Sequence, residues 1–177
     1  MIAEGRFLGV RMKSLTDQLA MYAAYHRERR NIRTHLLGIP MIVLAGAILF
    51  SRPGIDLGGL WLSPAFALVV IGCAYYLRLD RPLGVLMSGI SAGLLQIGVL
   101  VAALDTTHWL LAGLGLFVLG WSIQFIGHAF EGRKPAFVDD VMGLVIGPLF
   151  VVAEIGFRCG WRPALQAAIE ARVGPVR

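Results

Sequence analysis

Residues 83–104 and 109–130 form two runs without a single Asp, Glu, Lys or Arg. A helix needs roughly 20 apolar residues to cross the hydrocarbon core, and only a helix satisfies its own backbone there. A soluble fold has no place for two such runs. Three shorter apolar blocks, 36–50, 64–79 and 141–157, accompany them in a chain that is 57% hydrophobic and 15% charged. That balance belongs to a bilayer protein rather than a soluble domain.

The basic residues orient the blocks. Seven Lys or Arg precede block one, Arg52 alone lies between blocks one and two, and Arg78 and Arg81 lie between two and three. None separates three from four, Arg133 and Lys134 follow four, and Arg158, Arg162, Arg172 and Arg177 follow five. Under the positive-inside rule the first four blocks alternate, with the N-terminus and the 78–82 and 131–140 loops cytoplasmic. Block five is short, holds Pro148 and Glu154, and has basic residues on both sides. It reads as a re-entrant or interfacial segment that leaves the C-terminus cytoplasmic.

The expected fold is therefore all-α: an integral membrane helical bundle of four transmembrane helices, in one domain over 1–177 with polar, basic tails at 1–13 and 158–177. Residues 1–35 lack the apolar core and cleavage site of a signal peptide, so the N-terminus is expected to be retained. The host membrane is the inner membrane in a bacterium or the endoplasmic reticulum in a eukaryote. A net charge of +5 does not argue for nucleic acid, because the cations flank apolar spans, where membrane lipids account for them. Cys73 and Cys159 have no paired spacing. Ahead of block one, the Ser14-x-x-Asp17 box opens an amphipathic helix with Leu15, Leu19, Tyr22 and His26 on one stripe. Gly89-x-x-x-Gly93 predicts close helix packing. Asp139 and Asp140 read as caps for the next segment, and Tyr22, Tyr25 and the four tryptophans as an interfacial belt.

The same topology sorts the four histidines. His26 and His35 start span one, His128 ends span four on the same membrane face, and His108 lies a bilayer away. Nine residues on a straight helix would hold His26 and His35 about 13 Å apart along the axis. A shared metal therefore requires the chain to stop or bend between Arg27 and Thr34. Imidazole is the commonest biological metal ligand. Gln124 and Glu131, at i−4 and i+3 from His128, and Asn31, four before His35, stand where partners of ligating histidines are expected. Arg29, Arg30, Arg33 and Lys134 offer positive charge either to lipid phosphate or to a substrate carboxylate.

"YHRERRNIRTHLLGIP", followed about ninety residues later by "QFIGHAFEGRKPAFVDD" and then "GPLFVVAE", resembles the small membrane 2-hydroxy fatty acid dioxygenases of fatty-acid α-oxidation, first characterised in yeast. The likeness covers most of residues 20 to 157. It implies an iron(II)-dependent oxidoreductase of lipid metabolism that shortens a 2-hydroxy fatty acid by one carbon with O2 and no co-substrate. It also carries the family's metal-binding histidines onto His26, His35 and His128. Two other classes stay open at this stage, a haem-type electron carrier and a non-catalytic lipid-binding or scaffold protein. A histidine-box desaturase needs more than the four histidines present.

Overall fold

The structure, a computed structural model, describes residues 13–177 and the backbone at 6–7 and 10–11. The tail expected over 1–13 lies otherwise outside the described residues. Strands β1 (Arg6–Phe7) and β2 (Val10–Arg11) pair antiparallel ahead of helix α1 (Leu15–Ala23). There follow α2 (Arg29–Leu49), a hairpin of β3 (Ile55–Leu57) and β4 (Leu60–Leu62), α3 (Pro64–Leu79), α4 (Arg81–Ala102) and α5 (Thr106–Glu131). A 3-10 turn at Ala136–Val138, α6 (Met142–Arg158) and α7 (Pro163–Val173) complete the chain.

Three of these helices, α2, α4 and α5, are long and apolar enough to cross a membrane. Their outward positions are apolar, among them Val85, Leu100, Leu111 and Val118, as lipid contact requires. Helix α3 has 16 residues, a rise of about 24 Å, and reaches the far side only with its flanks. By length and composition a fourth span arises if α6 and α7, bent by 115° at their junction, count as one.

Hydrogen bonds tie both ends of α6 to the same end of the bundle. Just ahead of its start, Asp139 accepts from the hydroxyl of Tyr25, in the stretch between α1 and α2, at 2.8 Å. Just past its other end, Arg162 pairs at 2.6 Å with Asp80, the single residue between α3 and α4. Midway, the Tyr76 hydroxyl donates to the Val145 carbonyl at 2.7 Å. Helix α6 thus lies across the bundle's end, capped by α1 and α7, with Ile146, Leu149, Phe150 and Ala153 buried. Residues 163–173, counted within a polar tail, instead form α7 and pack on α1.

The capping box of Ser14 and Asp17 is present, and α1 stops at Ala23. The break falls at 24–28, earlier than the Arg27 to Thr34 window, because the Glu28 carboxylate accepts from the Arg30 N–H and starts α2 there. Helix α2 is the hub and packs most extensively on α5. Glycine makes this possible: a methyl group on Gly38 would lie 2.9 Å from the Gly120 carbonyl oxygen, and one on Gly127 2.6 Å from Asn31 Oδ1. Gly89 and Gly93, expected to pack closely, face open space. Their spacing marked an α4 face that no helix among the described residues covers.

Candidate metal centre

The 24–28 break turns His26 back towards α2. Its Nδ1 lies 2.7 Å from the carbonyl of Tyr22, in the last turn of α1, where carbonyls have no i+4 helical partner. His35, one turn into α2, sets its Nδ1 2.9 Å from the Asn31 carbonyl. A carbonyl only accepts, so each ring carries its proton on Nδ1 and points the Nε2 lone pair inward. These two Nε2 atoms are 2.9 Å apart. Two lone pairs facing each other at that distance repel, and a metal cation between them turns the repulsion into attraction.

His128, in the last turn of α5, completes the set with ring centroids 5.2 Å from His26 and 4.9 Å from His35. One nitrogen from each of the three falls within a 4.8 Å group, and all three residues are buried. A metal roughly 2.1 Å from each nitrogen would hold neighbouring ligand nitrogens about 3 Å apart, so the His26–His35 spacing already suits one ion. Three neutral imidazoles on one side leave coordination positions open opposite them. The Tyr22 ring stacks on His26 at 4.3 Å and 9°, with Phe150 on the ring at 5.6 Å. Burial, with His35 alongside, holds His26 well below the ordinary imidazole range, in the neutral form a metal needs. His108 is exposed at the far end and bonds Asp105.

Glu131 holds the break in place. Its side chain is 1% exposed and accepts from the main-chain N–H groups of Arg27 (3.0 Å) and Glu28 (2.8 Å) and from Asn31 Nδ2 (3.0 Å). The carboxylate three residues after His128 thereby fixes the segment carrying His26. A second clamp, which sequence reading missed, comes from the chain's end. The Arg177 N–H donates to the Arg27 carbonyl at 2.7 Å, and the Arg29 N–H donates to the Arg177 carbonyl at 2.9 Å. Buried Arg27 reaches the Gly174 carbonyl at 2.7 Å.

The remaining expected residues are divided between the centre and the surface. Asn31 serves His35 through its carbonyl and Glu131 through its amide. Gln124 is buried with neither amide atom partnered, as is His128 Nδ1. Arg29 and Arg33 are exposed, Arg30 pairs with Glu28 at 3.0 Å and stacks over Phe130, and Lys134 pairs with Asp139 at 2.6 Å. Asp139 also takes the Tyr25 hydroxyl, so only Asp140 bonds into the start of α6. Tyr22, assigned to an interfacial belt, is instead a wall of the centre. Its four-residue spacing from His26 was the available signal.

Between the α2–α5 pair and α6 lies a cleft of about 70 Å3, lined by His35, His128, Gln124 and Trp121 and by apolar residues including Ile39 and Leu144. Among the described residues, no arginine or lysine lines it.

A family model described as "2-hydroxy-palmitic acid dioxygenase Mpo1-like" matches residues 12–159. The chain is 33% identical over 165 residues to the 2-hydroxy-palmitic acid dioxygenase MPO1 of Saccharomyces cerevisiae, covering 92% of this chain and 91% of that protein. No solved structure matches it.

Proposed function

This chain belongs to the Mpo1-like family of 2-hydroxy-palmitic acid dioxygenases, and from that premise we propose that it is an iron(II)-dependent dioxygenase that shortens a long-chain 2-hydroxy fatty acid by one carbon. The observation that carries the reading is the facing pair of His26 and His35 lone pairs, completed by His128 and opening onto an apolar cleft. The reaction R-CH(OH)-COOH + O2 → R-COOH + CO2 + H2O balances without a further reductant, because the substrate supplies all four electrons that dioxygen takes.

His26, His35 and His128 would hold the ion. When bound, iron(II) supplies the redox chemistry by which dioxygen reacts with a closed-shell acid. The Tyr22 and Asn31 carbonyls hold the proton of two of the rings on Nδ1 and aim their Nε2 atoms, and Glu131 with the Asn31 amide keeps the break from opening. A cleft of about 70 Å3 accommodates a headgroup and not a long acyl chain, so the tail runs along Ile39 and Leu144 into lipid. Arg29, Arg30, Arg33 and Lys134 form a cationic collar that gathers the fatty acid at the cytoplasmic surface. A porphyrin has no room in this cleft, which disfavours the haem-carrier reading.

The test is purified protein with iron(II), oxygen and a long-chain 2-hydroxy fatty acid. The expected product is the acid one carbon shorter, formed with equimolar oxygen uptake, while a non-hydroxylated fatty acid stays unchanged. Oxygen uptake without shortening, or shortening that demands 2-oxoglutarate or NADPH, refutes the reading.

A further inference from the structure

Along one face of α5, Trp121, Gln124 and His128 all line the cleft beside the histidine centre. Trp121 Nε1, both Gln124 amide atoms and His128 Nδ1 are buried and lack a hydrogen-bond partner. Buried polar atoms are nearly always paired, and leaving one unpaired costs the fold. Four on one wall of one cavity need an occupant that pairs them. Gln124 is 4% exposed, and its position is tightly set, since a methyl group on Gly38 of α2 would come within 3.1 Å of Gln124 Nε2. Gly38 thus leaves the space that the Gln124 amide fills.

Resting on the dioxygenase reading above, we propose that Gln124 is the residue that recognises the 2-hydroxy acid headgroup. Its amide carries one donating and one accepting end. A 2-hydroxy acid presents the complement on neighbouring carbons, a carboxylate that accepts and a hydroxyl that donates. Gln124 Nε2 donates to the carboxylate, and the substrate hydroxyl donates to Gln124 Oε1. Trp121 Nε1 is a further donor on the same wall. The cationic collar, being outside the cleft, then serves capture and not discrimination.

The distinguishing variant is Gln124→Met, which keeps an unbranched chain of similar length and deletes both polar atoms. Binding of 2-hydroxypalmitic and palmitic acids to iron-loaded protein is measured without oxygen, alongside metal content and melting temperature in detergent. Gln124→Met is expected to keep its metal and to melt at or above the parent temperature, because orphaned polar atoms have been removed. Both affinities should fall through loss of the carboxylate bond, and the preference for the 2-hydroxy acid over palmitic acid should fall by about 2- to 10-fold, the worth of the neutral hydroxyl hydrogen bond that palmitic acid cannot make. An unchanged preference overturns the proposal. So does a lowered melting temperature with both affinities reduced alike, which marks a purely structural glutamine. If the methionine variant does not fold, Gln124→Glu decides: a carboxylate facing a carboxylate should weaken both acids at least tenfold, and unchanged affinities overturn the proposal. Failure of the parent protein to turn over 2-hydroxypalmitic acid would instead refute the enzyme reading, which the oxygen-free preference does not test.

Discussion

The Nε2 atoms of His26 and His35 lie 2.9 Å apart, although nine residues separate them in sequence. The 24–28 break undoes the separation, and main-chain carbonyls at Tyr22 and Asn31 turn both lone pairs to one point. With His128 as the third ligand, one metal ion per chain is expected. Alanine at any of the three should remove most of it, while His108→Ala should leave the content unchanged. Metal analysis of the four purified variants checks this, and equal loss in His108→Ala contradicts the assignment.

Glu131 should behave as a positioning residue. Glu131→Ala orphans the N–H groups of Arg27 and Glu28 and the Asn31 amide. Each such loss costs about 1–3 kcal/mol when buried, and supports of this kind change metal affinity by about 10- to 100-fold. Glu131→Gln retains an accepting oxygen and should recover part of both effects. Thermal unfolding and metal titration read them separately, and an alanine variant with parental metal affinity would contradict the role.

The fold's pH dependence follows from His26. Burial keeps its ring neutral, so below the ordinary imidazole pKa of about 6.5 the unfolded chain takes up a proton that the folded chain refuses. Stability of the metal-free protein is then level above that pH and declines as the pH falls through it. Melting temperatures recorded with a chelator should drop between about pH 7 and pH 5, and less steeply in His26→Gln. A flat profile counts against the burial argument.

The α2–α5 seam predicts a contrast between glycines. Gly38→Ala drives a methyl group against the Gly120 carbonyl oxygen at 2.9 Å, an overpacking worth about 1–3 kcal/mol. Gly89→Ala meets nothing within 4 Å and should stabilise α4 by up to about 1 kcal/mol through helix propensity. Equal melting temperatures for the two variants would mean that the seam is not built on glycine.

How far the sequence discloses this protein can be judged residue by residue. The charge-free runs became α4 and α5, and the histidine grouping followed from putting His128 and His35 on one membrane face. The start of α1 was legible because Ser14 and Asp17 are a local signal. Asn31 was expected to partner His35 by its side chain, whereas it is the Asn31 carbonyl that bonds the ring, which a side-chain pattern cannot indicate. Glu131 was paired with His128 by helical spacing, whereas its partners lie about a hundred residues earlier. The Arg177 clamp and the Gly38 seam depend on long-range packing that no periodicity encodes. Tyr22 was placed at the bilayer surface because aromatic residues near span ends usually sit there, and only the folding of α6 over α1 buries it.

The final prediction concerns sidedness. Both ends of α6 are anchored at the end of the bundle that carries the histidines, one just ahead of the helix through the Tyr25–Asp139 bond and the other, just past it, through the Arg162–Asp80 pair. The clamp of Arg177 on Arg27 and Arg29 brings the chain's end to that same place. If that end is cytoplasmic, as the Lys and Arg distribution requires, neither α6 nor α7 crosses. Cys159, exposed at the bend between them, is then a native reporter. In a Cys73→Ser background, an impermeant maleimide should label Cys159 in inverted vesicles and not in right-side-out ones. A cysteine introduced at Arg133 should share that behaviour and one at Gly58, in the β3–β4 hairpin at the opposite end, should reverse it. Labelling of Cys159 together with position 58 would make α6 a true span, and would move Arg162, Arg172 and Arg177 to the side that positive charge avoids.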